Sequence, residues 1–340
     1  MLADVLFIIV GVAMILWGAD RLTDGAAALA RRMGMSEMVV GLTVVAFGTS
    51  MPEFVVSFMS ALSGASGISV GNIVGSNLFN TLVIVGCSAI ACPIAIRRST
   101  ITRDIPFVLI ATAALEVLGV FPFSGSDAPD FLSRPDGAVL LLLFAFFMFI
   151  TLRSAKDDQD PVSSPDNTRV PLGDSGLCDD QTPESSSVPS SLRMSLLWLF
   201  VGLACLIAGG EIFVRGATAV AVALGVSDTM VGLTIAAAGT SLPELATSIV
   251  AARKGHSAMA IGNVIGSNIF NILFVLGLCA AVSPLSMRGI TPLDFEALLI
   301  SVAMFWLFAR SKHTIARWEG WILVASYILY IIMKVMECLP

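Results

Sequence analysis

A stretch of 46 residues occurs twice in this chain. Shifted by 191 positions, GLTVVAFGTSMPEFVVSFMSALSGASGISVGNIVGSNLFNTLVIVG (41–86) falls on GLTIAAAGTSLPELATSIVAARKGHSAMAIGNVIGSNIFNILFVLG (232–277) without a gap, and 22 of 46 positions are identical. The match continues upstream, where Gly25-Ala26 falls on Gly216-Ala217, Gly34 on Gly225 and Asp20 opposite Glu211. Such self-similarity means two copies of one structural unit.

The medium is a membrane. Of 340 residues 56% are hydrophobic and only 13% are charged, with mean hydropathy +0.89; a soluble domain carries about 25% charged residues. A spanning helix takes about 20 apolar residues. The apolar runs predict an all-α polytopic protein with ten spans, near 3–30, 37–61, 68–92, 104–121, 136–153, 194–221, 228–252, 258–283, 293–309 and 317–336. Five spans per copy is an odd number, so the two halves enter the membrane from opposite sides. Inverted repeats with interrupted helices are a design of secondary transporters, with the site where the repeats meet. The net charge of −6 and the lack of a basic face exclude nucleic acid as a partner. Six cysteines show neither CxxC nor metal spacing and read as small buried apolar residues without a disulfide framework. The opening MLADVLFIIVGVAMILWGAD lacks a basic leader region and a cleavage site, and reads as a retained first span.

The domain order is then a first membrane region at 1–153, a linker at 154–192, and a second membrane region at 193–340. The linker is rich in Pro, Ser and Asp; it buries too little apolar surface to offset ordering and is expected to be disordered. With ten spans, 14 Lys and Arg residues collect on one side of the membrane and three (Arg134, Arg288, Lys334) on the other. Basic loops face the cytoplasm. Both termini are therefore expected outside, and the linker inside.

The chemistry sits in GTSMPE (48–53) and GTSLPE (239–244). Helical spacing puts Thr49, Ser50 and Glu53 on one face. Pro52 cannot donate a hydrogen bond and frees a carbonyl near Gly48. Thr240, Ser241, Pro243 and Glu244 repeat the set. Asn72, Ser76 and Asn80 form a polar stripe on the next span, copied by Asn263, Ser267 and Asn271. Gly71 with Gly75, and Gly262 with Gly266, form GxxxG steps for close helix approach. Acids at membrane depth are costly and mark ion pathways, and two brought together repel unless a cation or protons lie between them. An all-oxygen shell suits a hard cation such as Ca²⁺; the motifs hold no His or Cys for a softer metal. Glu53 and Glu244 supply −2, matched by one Ca²⁺ or two Na⁺. Solvated loops are expected for His256 and His313, and a pair between Glu211 and Arg215.

These phrases resemble the two alpha repeats of the cation/calcium antiporter superfamily, in particular the sodium/calcium exchanger family. The resemblance spans nearly all the chain outside 154–192. It implies ten helices with the N-terminus outside, electrogenic exchange of Na⁺ for Ca²⁺, and a diamond-shaped core of four sites. Carried over by position, it implies ligation by the carboxylates of Glu53 and Glu244, the hydroxyls of Thr49, Ser50, Thr240, Ser241, Ser76 and Ser267, the amide of Asn80, and the carbonyls of Ala46 and Ala237. It also implies sliding of the first and sixth helices. Many relatives, notably the potassium-dependent branch, carry Asp where this chain has Asn271; the missing third carboxylate speaks against K⁺ co-transport.

The leading reading is a Na⁺/Ca²⁺ antiporter that extrudes Ca²⁺ from a prokaryotic cytoplasm, with the two ions as cargo, no cofactor and no protein partner evident. The alternatives are a proton-coupled Ca²⁺ antiporter sharing the Glu pair, and a passive cation channel. The sequence shows no nucleophile–base pair or catalytic metal set for an enzyme.

Overall fold

The computed structural model describes residues 2–120, 131–157, 191–224, 239–287 and 289–338. They are mostly helical. In chain order the helices are α1 (Leu2–Met33), α2 (Glu37–Val40), α3 (Ala46–Thr49), α4 (Met51–Leu62), α5 (Ser66–Leu78), α6 (Val85–Ala91), α7 (Ile105–Val120), α8 (Arg134–Asp157), α9 (Leu192–Ala223), α10 (Leu242–Arg253), α11 (Ser257–Ile269), α12 (Gly277–Val282), α13 (Pro292–Lys312) and α14 (Arg317–Cys338). Several are joined without a break by π-helical turns: Gly41–Val45 links α2 to α3, Phe79–Ile84 links α5 to α6, and Phe270–Leu276 links α11 to α12.

Seven continuous helices among the described residues are long and apolar enough to cross a membrane, or eight when Glu37–Thr49 and Met51–Leu62, bent by 50° at Ser50, count as one. The expected fourth span falls on α7, which the π-helical turn Thr100–Asp104 precedes without a break; it is not among those seven. The first part of the expected seventh span, the carbonyl of Ala237 with it, lies outside the described residues, as do residues 158–190 of the linker.

The helices equivalent in the repeat meet each other. Helices α1 and α9 pack along their length and run antiparallel, and the contact is built on glycines seven apart: Gly11, Gly18 and Gly25 on one, Gly202, Gly209 and Gly216 on the other. A methyl group on Gly18 would lie 2.7 Å from the Gly202 carbonyl oxygen; one on Gly202 would lie 2.6 Å from the Leu22 nitrogen. Without side chains there the two backbones touch, which supplies the dispersion contact that holds helices together in lipid. Arg21 adds a bridge, its guanidinium 4.4 Å from the Trp198 ring centre.

The helices of the second stretch of each repeat, at 66–91 and 257–282, lock onto α14 and α8. Gly86 meets Gly320, and Gly277 meets Gly137. Short antiparallel pairings seal both junctions: β1 (Ile94–Ala95) with β4 (Thr314–Ile315), and β2 (Phe131–Leu132) with β3 (Leu285–Ser286). The last spans also correspond, but at a shift of 183. Arg134-Pro-Asp-Gly137 falls on Arg317-Trp-Glu-Gly320, and each acid accepts from the backbone N–H three residues before it, Asp136 from Ser133 at 2.8 Å and Glu319 from Ala316 at 2.7 Å. These are N-terminal caps.

Two ties lie at the end of α10. Lys254 reaches Asp20 at 2.5 Å and Asp24 at 2.7 Å, both on α1. His256 Nδ1 lies 2.8 Å from a Glu37 oxygen; this half-buried pair replaces the solvated loop expected for it. His313 is exposed at a left-handed cap, φ 55°. Glu211 pairs with Arg215 as its spacing predicts. Of the described cysteines, Cys279 is buried, whereas Cys87, Cys92 and Cys205 are half-buried.

Candidate ion-binding site

The site forms where the break between α3 and α4 meets the start of α10. Ser50 (φ −83°, ψ 8°) and Ser241 (φ −92°, ψ 6°) leave the helical region at equivalent points. Pro52 and Pro243 then take the second position of the new helices α4 and α10, where a missing N–H costs nothing. The break aims each serine at the acid of the other half. Ser241 Oγ donates to Glu53 Oε1 at 2.8 Å, and Ser50 Oγ donates to Glu244 Oε1 at 2.9 Å. Ser50 Oγ also lies 2.9 Å from Ser267 Oγ. Both glutamates are 1% exposed, and Thr49, Ser50, Ser241, Ser267 and Asn271 are fully buried.

An amide clamp holds each acid-bearing helix. Asn72 Nδ2 donates to the Glu53 carbonyl at 3.3 Å and to Ser57 Oγ at 2.9 Å. Its copy Asn263 donates to the Glu244 carbonyl at 3.5 Å and to Ser248 Oγ at 3.0 Å. Asn263 Oδ1 in turn accepts from Thr49 Oγ1 at 3.2 Å. The stripe of residues expected on α5 and α11 therefore divides. Asn72 and Asn263 bind protein, Ser267 meets Ser50, Asn271 meets Asn77, and Ser76 Oγ and Asn80 Oδ1 are buried without a partner among the described residues.

Gly41, Gly262 and Gly266 let that centre close. A methyl group on Gly262 would sit 2.6 Å from the Met38 carbonyl oxygen, and one on Gly41 2.6 Å from that of Met259. Asn80 and Asn271 stand in the π-helical turns Phe79–Ile84 and Phe270–Leu276. A π-turn rotates the following side chains relative to a straight helix, and such turns recur at functional sites. Sequence reading found the asparagines but had no signal for the turns.

Several buried polar atoms here have no hydrogen-bond partner among the described residues: Glu53 Oε2, Glu244 Oε2, Thr240 Oγ1, Ser76 Oγ, Asn80 Oδ1 and Asn271 Oδ1. All are oxygens. Buried polar groups otherwise find partners, so a cluster of orphaned oxygens around two carboxylates is chemistry suited to a hard cation. The Ala46 carbonyl accepts from the Ser50 N–H at 3.0 Å and from Thr49 Oγ1 at 3.5 Å. No group of three or more His, Cys, Asp or Glu suited to a metal occurs among the described residues, so the fixed charge at this centre is that of the glutamate pair. A cavity of about 530 Å³, lined in part by Pro52, Gly210, Glu211, Arg215, Thr240 and Pro243, reaches the site along α9.

The chain is similar to known proteins. The chain is 35% identical over 336 residues to "Putative antiporter CaxA" of Alkalimonas amylolytica, covering 97% of this chain and 98% of that one. It is 30% identical over 349 residues to "Sodium/calcium exchanger MaX1" of Methanosarcina acetivorans, covering 96% and 97%. The solved structure of the sodium-calcium exchanger NCX_Mj soaked with 2.5 mM Na⁺ and 0.1 mM Ca²⁺ superposes with TM-score 0.78 at 31% identity, over 97% of this chain and 98% of that one. Residues 4–153 and 194–336 match the family described as "Sodium/calcium exchanger protein". This chain is an integral membrane protein and belongs to the sodium/calcium exchanger family.

Proposed function

We propose that this protein is a Na⁺/Ca²⁺ antiporter that works by alternating access, moves Ca²⁺ out of a prokaryotic cytoplasm, and does not need K⁺. The observation that carries the reading is the crossed pair of hydrogen bonds, Ser241 to Glu53 and Ser50 to Glu244. It joins both acids to one all-oxygen centre. The ligands of that reading are Glu53, Glu244, Thr49, Ser50, Thr240, Ser241, Ser76, Ser267, Asn80 and Asn271, with the carbonyls of Ala46 and Ala237.

The charge explains the coupling. One Ca²⁺ or two Na⁺ neutralise the two carboxylates, and the hydroxyls and carbonyls can hold a further Na⁺, which makes the exchange electrogenic. A bare pair of buried charges is strongly unfavourable away from water, so the empty site does not pass through a sealed state and one ion must replace the other. A channel has no such requirement. Asn271 in place of a carboxylate leaves no third charge for K⁺.

Ten spans in two inverted halves complete the reading, with α7 as the fourth and α10 ending the seventh. The antiparallel contact of α1 with α9 and the exchanged locks at Gly86–Gly320 and Gly277–Gly137 support the inversion. The bias of basic residues to one side supports both termini outside and the linker in the cytoplasm. Bacterial and archaeal relatives of full length, among them "Inner membrane protein YrbG" of Escherichia coli, support a prokaryotic plasma membrane.

Reconstitution tests this. Proteoliposomes loaded with Na⁺ should take up Ca²⁺ when diluted into Na⁺-free buffer, without K⁺ and at equal pH across the membrane. Uptake driven by a pH gradient alone would instead make this a proton-coupled exchanger.

A further inference from the structure

The amides flanking the centre break the symmetry of the repeat at one point. Under the 191-residue shift Asn77 corresponds to Asn268, Asn80 to Asn271, and Thr81 to Ile272. In one half-site Asn271 Nδ2 lies 3.5 Å from Asn77 Oδ1. The mirror contact would join Asn80 Nδ2 to Asn268 Oδ1, yet both atoms are buried without a partner among the described residues. Asn268 Nδ2 donates instead to Thr81 Oγ1 at 2.8 Å. Ile272, fully buried at the position equivalent to Thr81, offers Asn77 no such acceptor.

The hydroxyl of Thr81, absent at the equivalent Ile272, is thus where the two half-sites differ: it fixes the orientation of the Asn268 amide through Nδ2. We propose that Thr81 is a positioning residue for cation binding: by engaging Asn268 it leaves the Asn80 amide untethered, able to turn its oxygen onto the ion, while Asn271 stays held by Asn77. The two equivalent asparagines then do different work, one as a mobile ligand and one as a ligand whose amide is held in place by Asn77. This rests on the reading of the site as the cation-transport centre.

The test is the Ca²⁺ concentration for half-maximal Na⁺-driven uptake. Thr81→Val keeps the shape and removes the acceptor, so Asn268 turns to Asn80. Half-saturation should rise about fivefold, the worth of one net hydrogen bond, with maximal rate unchanged. Thr81→Ser should keep wild-type affinity. The double variant Thr81→Val/Asn268→Ala removes the competing amide and should return to wild-type affinity, which a loss of packing would not do. Unchanged affinity in Thr81→Val, or no recovery in the double variant, overturns the assignment of Thr81 while wild-type exchange stands. A wild type with no Na⁺-driven uptake overturns the reading of function, and this assignment with it.

Discussion

The Ser241 hydroxyl donates to Glu53 at 2.8 Å, and the Ser50 hydroxyl donates to Glu244 at 2.9 Å. Each half of the chain thus orients the acid of the other. A hydrogen bond to a charged group is worth about 1.5–3 kcal/mol. Ser50→Ala and Ser241→Ala should each raise the Ca²⁺ concentration for half-maximal uptake by about tenfold or more. Ser50→Ala should be the worse, because Ser50 also contacts Ser267. Equal wild-type affinity in both variants would show that the serines do not organise the carboxylates.

Helices α1 and α9 touch through backbone at Gly18 and Gly202. Valine at either place must push the helices apart, at a cost of about 1–3 kcal/mol for overpacking. Gly18→Val and Gly202→Val should each lower the thermal midpoint in detergent. The double variant should lose less than the sum, since both changes open one contact. Strict additivity would mean the two glycines do not share an interface.

Lys254 ties the end of α10 to α1 through Asp20 and Asp24. The Asp24 side chain is only 9% exposed, so losing its cation leaves a poorly solvated charge. Lys254→Met should destabilise by about 1–3 kcal/mol. Adding Asp24→Asn should recover part of that loss, with a coupling energy above about 0.5 kcal/mol. Independent effects of the two changes in thermal unfolding would contradict the tie.

Much of this was legible in the sequence because the repeat repeats its chemistry. Both acids, the hydroxyls, the prolines that break the helices and the pair Glu211–Arg215 follow from motif and spacing. Other features had weaker signals. Gly11, Gly18 and Gly25 recur at the common shift as Gly202, Gly209 and Gly216, but glycine is frequent in membrane helices and the heptad is easily passed over. The match of Asp136-Gly137 to Glu319-Gly320 hides behind a shift of 183. The partners of Lys254 and His256 lie more than 200 residues away, and no local pattern points to them. The π-turns carrying Asn80 and Asn271 arise from tertiary packing, since a π-turn needs no particular residue. Asn72 is a protein clamp rather than part of the ion-facing stripe because Ser57 and the Glu53 carbonyl lie within its reach, which period alone does not reveal.

The central claim is that Glu53 and Glu244 together hold the exchanged cation. Na⁺-driven Ca²⁺ uptake by reconstituted Glu53→Gln and Glu244→Gln tests it most directly, with thermal unfolding confirming that both remain folded. Gln keeps the shape and removes one of the two charges that neutralise Ca²⁺, so uptake should fall to the level of empty vesicles in each. Wild-type uptake by either folded variant would contradict the account.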